Sequence, residues 1–467
     1  MESETRPPFG RGARLTATYV VILAVGVLAY FLIRSYGRTL SAPAPNGPSA
    51  LGTTGESGQV DVLLHVLVAL LVIIAFARTL GAVFARWGQP PVIGEVVAGI
   101  ILGPSALGRL APDVSAFILP ASVAPFLGLL AQVGVIVYMF LVGMELDPTL
   151  LRRRTHATVL ISHVSIVAPF VLGVALALYL YPRFSTRDVP FDVFALFLGV
   201  SMAVTAFPVL ARILTDRAMQ KTRLGVLALS CAAIDDVTAW CLLAFLVSIV
   251  HSRAGGALLT AALTLGYIAF MIFAARPLVR KFVERQEGRG LTEGVLAVVC
   301  VALLLSSLIT ESIGIHAIFG AFLLGATVPH ASRLARELTD RLQALVLVLF
   351  LPAFFALTGL RTELGLVHGA ADWAVTLAII LVASVGKFGG SFAAARWTGL
   401  GSRDAAAIGI LMNTRGLMEL IVLNVGLSLG IISPRLFAML VVMAVVTTLA
   451  TTPILLAIGP DRGAEEA

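Results

Sequence analysis

Hydrophobic residues occur along this chain in long runs that short polar stretches separate. One isolated run covers residues 15–32. Thirteen closely spaced runs follow, at residues 60–80, 92–108, 123–146, 157–181, 191–214, 224–250, 256–280, 292–311, 313–329, 342–360, 372–395, 404–426 and 436–458. A helix needs roughly 20 apolar residues to cross a bilayer core. The pattern therefore predicts an all-α polytopic membrane protein with 13 spans plus one extra N-terminal span.

The remaining segments define the domain organisation. Residues 1–36 are predicted to form an N-terminal tail and an anchor helix, although a signal peptide is the alternative for the first run. The length of that run and the lack of a small-residue cleavage site favour the anchor. Residues 37–59 are rich in Pro, Gly, Ser and Ala, which predicts a flexible linker. A transmembrane domain at 60–458 and a cytoplasmic tail at 459–467 follow.

The composition agrees with this class of protein. Of the 467 residues, 58% are hydrophobic and only 13% are charged, and the mean hydropathy is +0.98. The pI of about 9.7 does not indicate nucleic-acid binding, because the cations lie in short loops between apolar runs. The three cysteines all lie inside such runs, so we expect buried thiols and no disulfides.

Lys and Arg residues are distributed unequally between the two sides of the predicted spans. One side, which includes both termini, carries 23 of the 33, and the other carries 8. Short cytoplasmic loops are enriched in Lys and Arg. We therefore expect both termini in the cytoplasm, and the protein in a bacterial plasma membrane.

Two adjacent carboxylates, Asp235 and Asp236, are the only charges in the middle of the 224–250 run. An intramembrane acid costs several kcal/mol unless it faces water or a cationic partner, and it marks an ion or proton pathway by default. Neighbouring helical residues point roughly 100° apart. One acid can thus face an aqueous path while the other faces a partner. A tolerated polar defect is the alternative.

Lys387 and Arg415 are the two cations deep inside predicted spans. Lys387 requires a counter-charge, and the acids of 224–250 are the candidates; snorkelling to an interface is the alternative. Arg415 and Glu419 are four residues apart and can pair on one helix face.

Two spans contain residues that interrupt helices. In 191–214, Pro208 is expected to push Phe207 out of helical geometry, and Ser201 and Thr205 just upstream offer oxygen atoms to an ion. In 404–426, the interruption is the cluster Asn413, Thr414, Arg415 and Gly416. Simple kinks without a ligand are the alternative.

The positions of the two interrupted spans matter. They are fifth and twelfth of the 13 spans, seven apart, so the two halves of the domain are expected to be inverted in the membrane. Paired interrupted helices in inverted repeats indicate a transport site near the midplane.

Six motifs in the chain can be compared with known families. They are PPVIGEVVAGIILGPSALG (90–108), FLVGMELDP (140–148), VTAFPVLARIL (204–214), AAIDDVTAW (232–240), IHAIFGAFLLGATVP (315–329) and NTRGLMELIVLNVG (413–426). These motifs resemble the monovalent cation/proton antiporter superfamily. They look closest to its second branch, which holds bacterial sodium or potassium/proton antiporters, Kef-type transporters and plant cation/proton exchangers. The resemblance covers about 60–458 and leaves the anchor helix outside.

The resemblance implies an inverted-repeat antiporter fold with two crossing, interrupted helices. It implies a mobile core at 157–250 and 372–458, a dimerisation scaffold at 60–146 and 292–360, and a linker helix at 256–280. It further implies a homodimer in membrane lipid that transports Na⁺ or K⁺ and protons. No cofactor and no resident metal are implied.

The resemblance also assigns roles to three charged residues. At the position of Asp236, the family's acid binds cation and proton in competition. The residue at the position of Asp235 is acidic in many electrogenic members and Asn in electroneutral ones, and the lysine at the position of Lys387 pairs with it. The Asp pair matches the electrogenic pattern, whereas the flanking motifs are similar to plant-type exchangers, whose pair usually begins with Asn.

These observations lead to one predicted mechanism and several alternatives. We expect electrogenic cation/proton antiport by elevator-like alternating access, with Thr205 and Ser201 assisting Asp236. The alternatives are an electroneutral K⁺/H⁺ exchanger, a cation channel or sensor that uses the same acids, and a bile-acid-type symporter. An intramembrane aspartyl protease is the enzyme alternative, and we expect no enzyme. Structural roles are expected for Glu95, Glu145, Glu311 and His316.

Overall fold

The described part of the chain consists of helices and short loops. The computed structural model describes residues 10–37, 40, 62–145, 156–217, 219, 222–251, 257–286, 290–329 and 331–459. In chain order, the α-helices are α1 (Gly10–Gly37), α2 (Val62–Arg86), α3 (Pro91–Leu102), α4 (Leu107–Leu110), α5 (Pro112–Ile118), α6 (Ala124–Glu145), α7 (His156–Phe184), α8 (Phe191–Ala203), α9 (Phe207–Asp216), α10 (Arg223–His251), α11 (Ala257–Phe270), α12 (Arg276–Gln286), α13 (Glu293–Ile313), α14 (Ala317–Thr327), α15 (Arg333–Leu345), α16 (Leu351–Leu360), α17 (Gly369–Ser384), α18 (Gly390–Trp397), α19 (Ser402–Met412), α20 (Leu417–Ser428) and α21 (Pro434–Ile458). Single π-type turns join α11 to α12, α15 to α16 and α17 to α18.

The helices reproduce the predicted apolar runs. Ten helices of the described residues are long and apolar enough to cross a membrane, and they coincide with ten of the runs. The other four runs coincide with shorter apolar helices: Ala24–Gly37, Phe191–Ala203, Ala317–Thr327 and Met418–Ser428. The division within 292–329 is confirmed, because Gly314 ends α13 in the left-handed conformation with φ of 93°. The prediction of an all-helical membrane protein is confirmed.

Large apolar side chains are exposed along the outer faces of several helices. On α13, Val301, Leu304 and Leu308 are more than 60% exposed, and Leu67 and Leu71 on α2 are similarly open. Extended apolar surface of this kind is rare on soluble proteins. It is the surface that lipid chains cover in a bilayer.

Both predicted interruptions are present, but the first begins earlier than the sequence suggested. The non-helical residues between α8 and α9 are Val204, Thr205 and Ala206, whereas Phe207 already belongs to α9. The expectation that Pro208 pushes Phe207 out of helical geometry is therefore wrong. Proline fits the first turn of a helix because its missing N–H has no intrahelical partner there. Pro208 thus lies at the start of the second half-helix.

The helices around the interruptions pack closely together. Helix α10 contacts α7, α8, α9 and α19, and α7 also contacts α18 and the π-type turn before it. A second set of contacts joins α2 to α3, α3 to α16, α16 to α6, and α14 to both α6 and α13. These two sets of helices meet where α16 contacts α20 and α3 contacts α21.

The N-terminal helix α1 packs against α7 and α8. Arg34 near its end forms an ion pair of 2.9 Å with Asp192 in the first turn of α8. Helix α1 includes Gly37, which the sequence assigned to the linker. Residues 1–9 and 460–467, and all of 38–61 except residue 40, lie outside the described residues, so the predictions for the tails and the linker remain predictions.

Candidate functional site

The two interrupted segments lie against each other. The Ala206 N–H donates a hydrogen bond of 2.9 Å to the Thr414 carbonyl, and Thr205 Oγ1 lies 3.1 Å from the Met412 carbonyl oxygen. A Cβ atom on Gly416 would lie 2.6 Å from the Val209 side chain, which no real contact allows. This close approach is what requires glycine at residue 416. Backbone groups that a continuous helix would satisfy internally are satisfied here between the two segments.

Asp235, in the middle of α10, forms a completely buried ion pair with Lys387. The Lys387 ammonium donates to Asp235 Oδ2 at 2.9 Å, and neither side chain is exposed. Three hydroxyl groups also donate to this carboxylate: Ser162 at 2.8 Å, Ser165 at 2.7 Å and Thr205 at 2.9 Å. The predicted contact between Lys387 and an acid of α10 is present, and its acid is Asp235.

The other two N–H groups of Lys387 have identifiable acceptors. One donates to the Ala203 carbonyl, at the C-terminal end of α8, and the other to the Ser165 carbonyl at 3.0 Å. The Ser165 carbonyl lacks its usual helical donor because the residue four positions later is Pro169, which has no N–H. Lys387 itself lies in the π-type turn Val385–Gly389. All three ammonium donors are thereby used.

Arg415 and Glu419 form the second buried pair. Arg415 Nη1 donates to Glu419 Oε2 at 2.8 Å, and both side chains are fully buried. Arg415 also donates to the Ser201 and Met202 carbonyls, both at 2.7 Å, and Ser201 Oγ donates to Glu419 Oε1 at 2.6 Å. The predicted pair is confirmed. In addition, the guanidinium binds free carbonyl groups at the end of α8, where cations are favourable.

Asp236 differs from the other buried acids of α10 and α20. It is only 4% exposed, and neither of its oxygen atoms has a hydrogen-bond partner. The Phe207 N–H, at the start of α9, interacts with this carboxyl electrostatically but does not form a hydrogen bond of normal geometry. Two further buried acceptors in the second interruption, Asn413 Oδ1 and Thr414 Oγ1, also lack partners.

This arrangement suits an exchangeable monovalent ion or proton. A buried, unpaired carboxylate is costly, so it is neutralised by a proton or by a bound cation. Among the described residues, no cluster of three or more His, Cys, Asp or Glu side chains could hold a resident metal ion. Thr205 and Ser201, predicted to assist Asp236, donate instead to Asp235 and Glu419, and their role toward an ion remains a prediction.

Comparison with protein families identifies the group to which this chain belongs. The family described as "Sodium/hydrogen exchanger, transmembrane" matches residues 66–457. The chain is a member of this family. The resemblance predicted from the motifs is confirmed, as is the expectation that the protein is a multi-pass membrane protein and not an enzyme. Helix α1 lies outside the matched region, as expected.

Individual relatives of this exchanger agree with the second branch of the superfamily. The chain is 45% identical over 406 residues to the Na⁺/H⁺ antiporter NhaS4 of Synechocystis sp., covering 86% of this chain and 99% of that protein. It is 36% identical to cation/H⁺ antiporter 17 of Arabidopsis thaliana, covering 90% of this chain and 51% of that protein. It is also 36% identical to K⁺/H⁺ antiporter 1 of Saccharomyces cerevisiae, covering 81% and 44%. The chain thus spans about half the length of the plant and yeast relatives.

A solved structure shares the fold of this exchanger. The sodium proton antiporter MjNhaP1 from Methanocaldococcus jannaschii superposes with a TM-score of 0.63 over 86% of this chain and all of that one. Only 13% of the aligned residues are identical, so the likeness establishes the fold alone.

Three site residues of the exchanger were missed by the sequence analysis. Ser162 and Ser165 bind Asp235, and Pro169 frees the carbonyl that binds Lys387. The available signal was a Ser-x-x-Ser-x-x-x-Pro pattern in the otherwise apolar 157–181 run. Polar residues of this kind often bind across helices in membranes.

The acids and the histidine assigned structural roles lie away from this site. Glu311 accepts a hydrogen bond of 2.8 Å from the Ala317 N–H and thus caps the start of α14, directly after His316. Glu95 is buried on α3, 3.9 Å from Arg78. The Glu145 side chain lies outside the described part of the structure.

Proposed function

We propose that this exchanger moves a monovalent cation, Na⁺ or K⁺, in one direction and protons in the other by alternating access. Its relatives are named as Na⁺/H⁺ and K⁺/H⁺ antiporters, which supports both cations. Proton and cation compete for the Asp236 carboxylate. The observation that carries this proposal is the absence of any hydrogen-bond partner on this buried acid, while the other acids beside it are paired.

Competition at one carboxylate couples the two flows. Moving a bare anion through a dry intermediate is prohibitive, so each crossing of the site requires Asp236 to carry either a proton or a cation. An antiporter results, because the site cannot return empty. We propose that the arriving cation displaces Lys387 from Asp235 and that the displaced ammonium loses a proton. Two protons, one from Asp236 and one from Lys387, are then released for each cation bound, which makes transport electrogenic.

The cavities between the two sets of packed helices support alternating access. A cavity of about 1350 Å³ lies between α3, α6 and α16 on one side and α20 and α21 on the other, and its lining includes Arg361, Asn424 and Arg435. A smaller one of about 270 Å³ lies near Gln89, Arg217 and Thr452. We propose that the helices around the interruptions, 157–250 and 372–458, move as the core against a scaffold formed by 60–146 and 292–360.

Two contacts at the ends of helices support the proposed topology of 13 spans plus one. Arg34 and Asp192 meet although they end and begin helices far apart in sequence, as expected if both lie at the non-cytoplasmic face. At the proposed cytoplasmic face, the Leu291 N–H donates to Glu337. We propose that both termini are cytoplasmic, that the protein works as a homodimer in a bacterial plasma membrane, and that its two halves form inverted repeats.

The test of this function is exchange by purified protein in liposomes. With an imposed pH gradient, addition of Na⁺ or K⁺ should move protons in the wild type, and Asp236→Asn should abolish this movement while still folding and inserting. Glu95→Gln, which alters a buried acid outside the site, is the matched control and should exchange. An Asp236→Asn variant that exchanges at the wild-type rate would show that the site is wrongly assigned. A channel, by contrast, would conduct cations without proton movement.

A further inference from the structure

Two oxygen atoms in the second interruption have no role in any network described above. Asn413 is 3% exposed and Thr414 is not exposed at all, and neither Asn413 Oδ1 nor Thr414 Oγ1 has a hydrogen-bond partner. Leaving such groups unsatisfied in a buried position destabilises a protein in general. Both lie in a non-helical backbone segment. Gly416 and its neighbours pack this segment against the first interruption.

Two contacts connect this segment to Asp236 through the first interruption. The Thr414 carbonyl accepts from Ala206, and the next residue, Phe207, presents its N–H to Asp236. Thr205 directly precedes Ala206. Its Oγ1 atom lies 2.9 Å from Asp235 Oδ2 and 3.1 Å from the Met412 carbonyl oxygen. The first interruption therefore lies between the two acids of α10 and residues 412–414.

The charged groups beside this segment already have partners. The three ammonium N–H groups of Lys387 bind Asp235 and two carbonyls, and Thr205 donates its single hydroxyl proton within the same network. Arg415 directs both terminal nitrogens at Glu419 and α8, although its Nε atom has no partner. Four buried oxygen atoms beside these groups also have no partner: the two of Asp236, Asn413 Oδ1 and Thr414 Oγ1.

A set of one carboxylate and neutral oxygen atoms is the chemistry that binds a hard cation. We propose that Asn413 Oδ1 and Thr414 Oγ1 are ligands of the transported monovalent cation, and that they complete the site at Asp236. This inference rests on the proposed function. A proton needs only the carboxyl group, whereas a dehydrated cation needs several oxygen atoms around it. The two residues therefore set cation affinity and selectivity, and leave proton binding to Asp236.

The test removes each oxygen with little change of volume. Thr414→Val and Asn413→Leu should each raise the apparent KM for the cation by about tenfold, the effect expected for one lost ligand, with little change in the maximal rate. They should also alter the Na⁺ to K⁺ preference, and Thr414→Ser should restore wild-type values. Ser307→Ala, which removes another buried and unpartnered hydroxyl on α13, away from the site, is the control and should leave KM unchanged.

A second measurement covers variants that fold poorly. Thermal stabilisation of the detergent-purified protein by added Na⁺ or K⁺ gives cation affinity without transport, and Thr414→Val should shift its midpoint to about tenfold higher cation concentration. An unchanged midpoint and unchanged KM in Thr414→Val and Asn413→Leu would overturn the inference. If that happens while the wild type exchanges and Asp236→Asn does not, only this inference fails. If the wild type does not exchange at all, the proposed function itself fails.

Discussion

Removing Lys387 tests a completely buried charge that donates three hydrogen bonds. Lys387→Ala deletes the ammonium that pairs with Asp235 and also binds the Ser165 and Ala203 carbonyls. Asp235 would keep the three hydroxyl donors of Ser162, Ser165 and Thr205 but would lose its counter-charge. Breaking one side of a buried ion pair costs roughly 3–5 kcal/mol. The variant should therefore melt at a clearly lower temperature in detergent.

The structure also predicts how much stability is lost when either partner of the ion pair is replaced. In Asp235→Asn, Lys387 keeps both carbonyl acceptors, and the amide oxygen can still accept, so this change should cost less than Lys387→Ala. The double variant Asp235→Asn/Lys387→Gln strands no charge, and it should recover part of the lost stability. With Lys387→Gln as the matching single variant, the stabilities of the wild type, the two single variants and the double variant form a thermodynamic cycle that measures the coupling.

Transport measurements distinguish an Asp235–Lys387 pair that is only structural from one that couples the movement of protons and cations. If Asp235 carries the extra charge, wild-type exchange should respond to a potassium–valinomycin clamp of the membrane potential. The double variant should still exchange but should no longer generate a potential. Wild-type transport that ignores the clamp would refute this reasoning. The pair would then be structural, and the protein would be an electroneutral exchanger.

Two further predictions concern topology and domain movement. Cysteines introduced at 362–368 should react with a membrane-impermeant reagent outside intact cells, and those at 282–290 should not; the reverse pattern would contradict the proposed orientation. Asn424 on α20 accepts from Arg361 at 3.1 Å and donates to Thr358 at 2.9 Å, so it links the proposed core to the scaffold. Asn424→Asp should create an ion pair with Arg361 and slow exchange, whereas Asn424→Leu should not slow it. Equal rates in both variants would exclude a role for this link in the rate.

Much of the site follows from local sequence rules. Arg415 and Glu419 pair because residues four apart share a helix face, and Lys387 finds an acid because a midspan cation needs one. The choice of Asp235 over Asp236 depends on which direction each faces in the packed bundle. That direction is set by contacts of α10 with α7 and α8, which no local pattern specifies.

The rest depends on backbone geometry that only tertiary packing determines. Pro208 correctly indicated that the first span is interrupted, but the non-helical residues precede it. A proline can begin a helix as well as end one, so the residue type alone does not give the position of the break. The π-type turn that carries Lys387 has no strong signature in VGKFG. The position of α1 beside α7 and α8 could not be predicted from its uniformly apolar sequence.

The first interrupted helix explains why Asp236 is unpaired whereas Asp235 and Glu419 are paired. The free carbonyl groups at the end of α8 are occupied by Arg415 and Lys387, which in turn hold Glu419 and Asp235. The opposite end of the interruption presents the free N–H groups of α9, and these favour a negative charge near Asp236 without filling its oxygen atoms. The fixed cations are therefore concentrated on one side of the break and the unpaired carboxylate lies on the other. A cation that entered the site would therefore meet least repulsion, and would find unused oxygen atoms, on the Asp236 side.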